Sequence, residues 1–285
     1  MDAFHASTKA WFDARYGTPT QAQVEAWPLI ATGQHVLVST PTGTGKTTAA
    51  FMWPLDQLIS GRWPLGSTSV LYVSPLKARN NDIQRNLLVP LAELQSQYTT
   101  DGAPWYEPKV MPRSGDTSAT DRRRMQRHPP EILITTPESL NLLLSSVSGR
   151  GMLQGIRMVI LDEIHAVLDS KRGTHLSTAV ERLAHLTGEF QRIALSATVH
   201  PIQPVARFIG GFDKAQNPRP VLIVQPPRRK KIHIAIERTP YDPTPWQTLA
   251  PRRLEIIDRN RSIDIGTVDE VVLIQAPHSV ASATQ

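Results

Sequence analysis

Up to residue 212, short runs of consecutive apolar residues alternate with longer stretches whose apolar positions recur every three or four residues. The short runs, such as Val36-Leu37-Val38 and Ile132-Leu133-Ile134, predict strands at His35–Ser39, Ser69–Ser74, Glu131–Thr135, Arg157–Asp162 and Gln191–Ser196. A strand that is apolar on both faces suits a parallel sheet covered by helices on either side. Between the runs, Leu176, Val180, Leu183 and Leu186 form one helical stripe. Ile83, Leu87, Leu91 and Leu94 form another, in which Pro90 is expected to kink the helix. Strand and helix repeating in this order predict an α/β domain with a mostly parallel sheet and helices on both faces.

The texture changes after residue 212. Nine prolines fall between positions 204 and 251. The span 213–262 therefore reads as a linker or crossover, with strand-like runs at Val221–Val224 and Ile232–Glu237. A last strand-like run, Val271–Gln275, lies near the end of the sequence.

Composition narrows the classes. There is no cysteine among the 285 residues, which excludes disulfides, a thiolate nucleophile and Cys-ligated metal centres. No apolar run reaches the roughly 18 residues of a membrane span, and Met1-Asp2-Ala3-Phe4-His5 lacks a signal peptide's basic and apolar regions. The expectation is a soluble, cytoplasmic protein without a membrane partner. The formal charge is +6, with basic groups at Arg122-Arg123-Arg124, Arg127 and His128 and at Arg228-Arg229-Lys230-Lys231. Such runs are ordinarily solvated surface, but they permit a polyanionic partner.

In open α/β sheets, ligands gather at the carboxyl ends of the strands. The first strand is followed by Thr40-Pro41-Thr42-Gly43-Thr44-Gly45-Lys46-Thr47, with a helical stretch from Thr48. Glycines at 43 and 45 let backbone N–H groups face a phosphate chain, Lys46 can reach the outer phosphates, and the Thr47 hydroxyl can ligate magnesium. The strict pattern has glycine where this chain has Thr40. After the fourth strand comes Asp162-Glu163-Ile164-His165. Alone, an Asp-Glu pair is an ordinary helix cap; beside the phosphate loop it suits a metal-holding Asp162 and a water-activating Glu163. His165 alone reads as a packed or capping histidine. Ser74-Pro75-Leu76-Lys77 and Thr136-Pro137-Glu138-Ser139 each put a hydroxyl cap and a proline at a helix start. Either alone is a well-capped helix. Two at one sheet edge, beside the phosphate loop, favour a track for a nucleic-acid backbone.

Together these elements resemble the superfamily 2 helicases, specifically the large helicase-related (Lhr-like) group with a DEIH spelling of the DEAD/DEAH box. Tyr16-Gly17-Thr18-Pro19-Thr20-Gln21-Ala22-Gln23 looks like the Q motif, in which Gln23 would read the adenine edge. The phosphate loop is motif I, giving Thr42, Gly43, Thr44, Gly45, Lys46, Thr47 and Thr48 as ATP-binding candidates. Ser74, Pro75 and Lys77 are similar to motif Ia, although Arg79 stands where leucine is expected. Arg113-Ser114-Gly115-Asp116-Thr117 and Thr136-Pro137-Glu138 resemble nucleic-acid-contacting loops. Asp162–His165 is motif II, followed by the similarly typical Lys171-Arg172-Gly173. Ser196-Ala197-Thr198 looks like motif III, which couples the ATP site to strand movement.

The resemblance implies a RecA-like ATP-binding domain at 1–212 and catalysis by Lys46, Asp162, Glu163 and His165. It implies Mg2+ on Thr47 and Asp162, ATP as cofactor, and single-stranded or partly duplex DNA or RNA as partner, with an association with repair. Phe4 is a lesser candidate for stacking on the base, and packing on the domain is the simpler reading. Residues 263–285 resemble motif V of a second RecA-like domain, most of which, with motif VI and its arginines, is expected to be missing. Two readings follow: an ATP-dependent helicase or translocase, and a non-catalytic module that binds ATP and nucleic acid. A small-molecule kinase explains neither the capped strand ends nor the Ser-Ala-Thr element.

Overall fold

The computed structural model describes residues 1, 3–41, 43–75 and 87–226, together with the backbone at 257–258 and 261–262. Thr42 and Lys77 lie outside the described residues, as do the runs Ile232–Glu237 and Val271–Gln275 and the span 263–285. The chain divides into two units after Pro227. In the second, Ile257–Asp258 pairs antiparallel with Arg261–Ser262. No helix among the described residues is long and apolar enough to cross a membrane.

In the first unit the elements run α1 (Ala6–Tyr16), α2 (Gln21–Ala31), β1 (His35–Ser39), α3 (Lys46–Ile59), β2 (Val70–Val73), α4 (Val89–Thr100) and β3 (Val110–Arg113). They continue with α5 (Ala119–Arg127), β4 (Ile132–Thr135), α6 (Pro137–Ser145), α7 (Val147–Leu153), β5 (Met158–Leu161), α8 (Lys171–Thr187), β6 (Gln191–Ser196), α9 (Ile202–Gly210) and β7 (Val221–Val224). The seven strands form one sheet in the order β3-β4-β2-β5-β6-β1-β7. Every pairing in it is parallel.

The continuous apolar runs supply both faces of this sheet. Leu37, Leu71, Val73, Leu133, Val159, Leu161 and Ala194 point to one side, where α6, α7, α8 and α9 cover them. Their alternate neighbours Val36, Val38, Val70, Tyr72, Ile132, Ile134, Ile160 and Leu195 point to the other, beneath α2 and α3. The period of two along a strand thus gives two cores, which is why these strands carry almost no polar positions. A third, aromatic cluster holds α1 against α4 through Trp11, Phe12, Trp27, Leu94 and Tyr98. Phe4 belongs to it, meeting Trp27 and Trp53 edge-to-face at centroid distances of 5.2 and 5.6 Å. Phe4 is packing, as its simpler reading held.

Three features differ from the sequence reading. Val110–Arg113 is a strand despite Pro112, because it lies at the sheet edge where a missing N–H is tolerated. Pro90 falls in the first turn of α4, which directly follows the π-helical pair Leu87-Leu88, so the regular α-helix starts beside the proline and the hydrogen-bond register changes just before it. Val221–Val224 pairs with β1 as the seventh strand, so the sheet continues past the boundary drawn at 212, and this part of the expected linker belongs to the first domain.

Candidate ATP site and nucleic-acid track

All seven strands are parallel, so their carboxyl ends share one edge, and the order divides that edge in two. The central trio β5-β6-β1 carries the acidic pair, Ser196-Ala197-Thr198 and the phosphate loop side by side. The adjoining trio β3-β4-β2 carries Arg113, Thr136 and Ser74.

The phosphate loop is built on left-handed glycines. Gly43 and Gly45 both have φ of 79°, a region that costs a residue with a Cβ about 1–2 kcal/mol. Gly45 also caps α3 without a side-chain hydrogen bond, so the first-turn N–H groups of that helix remain available to an anion. Thr40, standing where glycine is expected, is buried and fixes the loop's entry. Its N–H donates to the Ser196 carbonyl at 3.2 Å, and its hydroxyl lies 2.6 Å from that of Thr44. Lys46 turns its ammonium back to the carbonyls of Thr40 and Pro41, at 2.6 and 3.0 Å. Burial lowers the Lys46 pKa, while the carboxylates of Glu163 and Asp162 pull it back up. The two motifs are therefore electrostatic neighbours, which is what one shared cation requires. Thr47 and Thr48 follow in the first turn of α3.

Gln23 is buried beneath this loop. Its Oε1 accepts from the Thr20 N–H at 2.9 Å, its Nε2 reaches the Gly45 carbonyl at 3.4 Å, and the Thr20 hydroxyl donates to the Thr44 carbonyl at 3.1 Å. The capping box that starts α2 also props the phosphate loop.

At the end of β5, Asp162 Oδ1 accepts the Glu163 N–H at 2.9 Å, and Oδ2 accepts the Tyr72 hydroxyl from β2. Burial raises the Asp162 pKa; the Tyr72 hydrogen bond opposes that, and the charge of Glu163 adds to it. Glu163 has φ of 48°, a left-handed conformation that stores about 1–3 kcal/mol of strain at this junction. His165 Nδ1 accepts the Ala197 N–H at 3.2 Å. Nδ1 then carries no proton, so its 3.3 Å approach to Glu163 Oε2 is a contact and not a hydrogen bond. His165 thus joins the acidic pair to motif III. The Ser39 hydroxyl donates to the Ala197 carbonyl at 3.2 Å, whereas the buried Ser196 hydroxyl has no hydrogen-bond partner. Thr198 follows just beyond the end of β6.

The chemistry of this donor set fits Mg2+ with a triphosphate. Among the described residues there is no cluster of three or more potential metal-binding side chains. A magnesium held with phosphates needs only one or two hard oxygen donors from protein, and the Thr47 hydroxyl and the Asp162 carboxylate are donors of that kind.

On the other half of the edge, Ser74 is buried and donates its N–H to the Thr135 carbonyl at 3.1 Å. Thr136 caps α6, accepting the Ser139 N–H at 3.3 Å, with Pro137 in the first turn. Arg113 Nη1 is buried without a partner, and burial, with Arg122 nearby, lowers the Arg113 pKa. Arg122 Nη2 donates to the Gly115 carbonyl at 2.7 Å, and the Asp116 N–H donates to Ser114 Oγ at 3.3 Å. Glu138 aims its carboxylate at Arg172, not at solvent alone. The sequence assigned no role to Tyr72, since a phenol within Val70-Leu71-Tyr72-Val73 reads as core, and named Arg172 only within the typical Lys171-Arg172-Gly173, without its partners.

Comparison with known proteins agrees with this arrangement. Residues 20–206 match the family model of the DEAD/DEAH box helicases. The chain is 46% identical over 239 residues to an Lhr helicase and probable uracil glycosylase of Mycolicibacterium smegmatis, covering 83% of this chain and 15% of that protein. It is 41% identical over 272 residues to an ATP-dependent helicase Lhr-Core protein of Thermococcus barophilus, covering 91% of this chain and 31% of the relative. The chain thus spans less than a third of these relatives. The structure of Mycobacterium smegmatis helicase Lhr bound to ssDNA and AMP-PNP superposes with a TM-score of 0.72 at 48% identity, covering 79% of this chain and 28% of that one. DEAD-box helicase Mss116 bound to ssRNA, at 19% identity and a TM-score of 0.61, shares the RecA-like fold. The chain is therefore a relative of the Lhr helicases and belongs to the DEAD/DEAH box helicase family.

Proposed function

We infer that this chain carries the ATP-hydrolysing, strand-binding lobe of a cytoplasmic helicase or translocase that acts on DNA or RNA, in nucleic-acid repair. The observation that carries the reading is that the loop bearing Lys46 and the pair Asp162-Glu163 leave the same edge of the sheet from β1 and β5, on either side of β6, with the charges of Glu163 and Asp162 acting on Lys46. Bound Mg·ATP supplies the phosphoanhydride to be cleaved and a cation that spreads its charge. Lys46 leaves the carbonyls of Thr40 and Pro41 and neutralises the outer phosphates, and the N–H groups of Gly43, Thr44 and Gly45 hold them. Thr47 and Asp162 hold the metal, and Glu163 orients and polarises the attacking water. On the resemblance to the Q motif Gln23 selects adenine, which requires its amide to leave the Thr20 N–H and the Gly45 carbonyl that it holds here. The resemblance to motif I adds Thr42 and Thr48 to the nucleotide contacts. His165 relays the state of the acidic pair to Ser196, Ala197 and Thr198.

Ser74, Pro75, Lys77, Arg113, Gly115, Asp116, Thr136, Pro137 and Glu138 form the track. It grips one strand by its backbone and so with little sequence preference. The ssDNA and AMP-PNP carried by the Lhr structure support both halves of this reading. We assign the first RecA-like domain to residues 1 to about 226 and residues 263–285 to a second, on the resemblance of the latter to motif V.

The test is a nucleic-acid-stimulated ATPase assay with a parallel ATP-analogue binding measurement. Lys46→Ala should lose ATP binding. Glu163→Gln should bind ATP normally and lose at least about 100-fold in turnover. Equal hydrolysis by wild type and Glu163→Gln overturns the assignment, and binding without stimulated turnover in the wild type favours a non-catalytic binding module.

A further inference from the structure

Arg172 stands at the second position of α8, just after the acidic-pair turn. Its guanidinium serves two acceptors. Nε donates to Glu138 Oε1 at 2.7 Å, in the first turn of α6, and Nη2 donates to the Pro75 carbonyl at 2.6 Å, just beyond β2. These two points lie at the Ser74-Pro75 and Thr136-Pro137 junctions that follow the adjacent strands β2 and β4. The start of α8 packs tightly on Val167, the residue that ends the short turn following the acidic pair. A Cβ on Gly173 would lie 2.2 Å from the Val167 carbonyl, and Ser170 accepts the Gly173 N–H at 3.3 Å.

We propose that Arg172 is a positioning residue for the nucleic-acid track: its fork fixes the spacing between the Ser74-Pro75 and Thr136-Pro137 junctions and carries movement of the acidic-pair turn to them. This rests on the proposed strand-binding function. The pair also solves a charge problem, since a free Glu138 carboxylate beside the Thr136 helix start would repel phosphate. Burial alone would raise the Glu138 pKa; the hydrogen bond from Arg172 helps to leave it below the ordinary carboxylate value. Because both side chains are about half exposed, the ion pair itself adds little stability. Its consequence is geometric. An ammonium cannot reproduce the planar fork, so lysine is a poor substitute here.

The experiment measures binding of a fluorescent oligothymidylate to the full chain as wild type, Arg172→Ala and Arg172→Lys, across a salt series, with ATP-analogue affinity and melting temperature measured alongside. Both variants should lose about fivefold in strand affinity. ATP affinity, melting temperature and the slope of log affinity against log salt should stay at wild-type values. Lysine restoring full affinity overturns the proposal, because charge alone would then suffice. A slope shallower by about 0.7 in Arg172→Ala overturns it in favour of a direct phosphate contact. A joint fall in ATP affinity and melting temperature overturns it in favour of a general structural role. A wild-type chain that binds no strand removes the underlying function, and with it the proposal, and so is distinct from failure of the variants alone.

Discussion

Substituting alanine at Gly45 separates backbone strain from side-chain packing at the phosphate loop. Gly45 has φ of 79°, where an L-residue costs about 1–2 kcal/mol. The added Cβ would also lie 2.6 Å from Gln23 Nε2, too close to survive. That atom ends a flexible side chain, so the amide would swing away and give up its bond to the Gly45 carbonyl, a loss of about 1 kcal/mol. Gly45→Ala should therefore destabilise the chain by about 2–3 kcal/mol, and with Gln23→Ala already present by only about 1–2 kcal/mol. Denaturant unfolding of the wild type, both single variants and the double variant yields the coupling directly. A coupling near 1 kcal/mol is expected. Equal costs in the two backgrounds would refute the claim that Gln23 props this loop. ATP-analogue affinity should fall in Gly45→Ala in either background, because the strain at the start of α3 remains.

Two further predictions follow from the same region and from the opposite sheet end. Tyr72→Phe removes the hydroxyl that holds Asp162 Oδ2, a charged hydrogen bond worth about 1.5–3 kcal/mol. The Mg2+ concentration giving half-maximal ATP hydrolysis should rise about tenfold, and an unchanged value would separate Tyr72 from metal binding. His35 accepts the Arg192 N–H at Nδ1, and its pKa is lowered to about 4 by burial first and by Arg192 and Arg219 next. The unfolded chain then binds a proton between about pH 6.5 and 4 that the folded chain refuses, so stability present above pH 6.5 is lost as pH falls. Partial exposure reduces that loss to roughly 2 kcal/mol. Unfolding midpoints between pH 7 and 4 should show the loss in the wild type and not in His35→Gln.

The sequence makes β1, β2, β4, β5 and β6 legible because a strand covered on both faces must be continuously apolar. The edge strands escape that rule. Val110-Met111-Pro112-Arg113 carries a proline and a charge, and Val221–Val224, legible as a strand-like run, sits in a proline-rich stretch that hides its membership of this sheet. At the site, residues that follow strands are legible from the strand-end rule, so the phosphate loop, the acidic pair and the Thr136 cap could be found. The contacts of Tyr72 and Arg172 could not, because their partners Asp162, Pro75 and Glu138 lie 90, 97 and 34 residues away in the chain. The folded sheet alone brings them together. Gln23 is intermediate: its motif was readable, but its hold on Gly45 was not.

The central claim is that nucleotide on the loop from Gly43 to Thr47 shares one magnesium with Asp162. The most direct measurement is ATP-analogue affinity as a function of Mg2+ concentration, for the wild type and for Asp162→Asn. The account predicts that Mg2+ tightens binding to the wild type, that Asp162→Asn largely loses this dependence, and that the two bind alike without metal. An identical Mg2+ dependence in both proteins would contradict it.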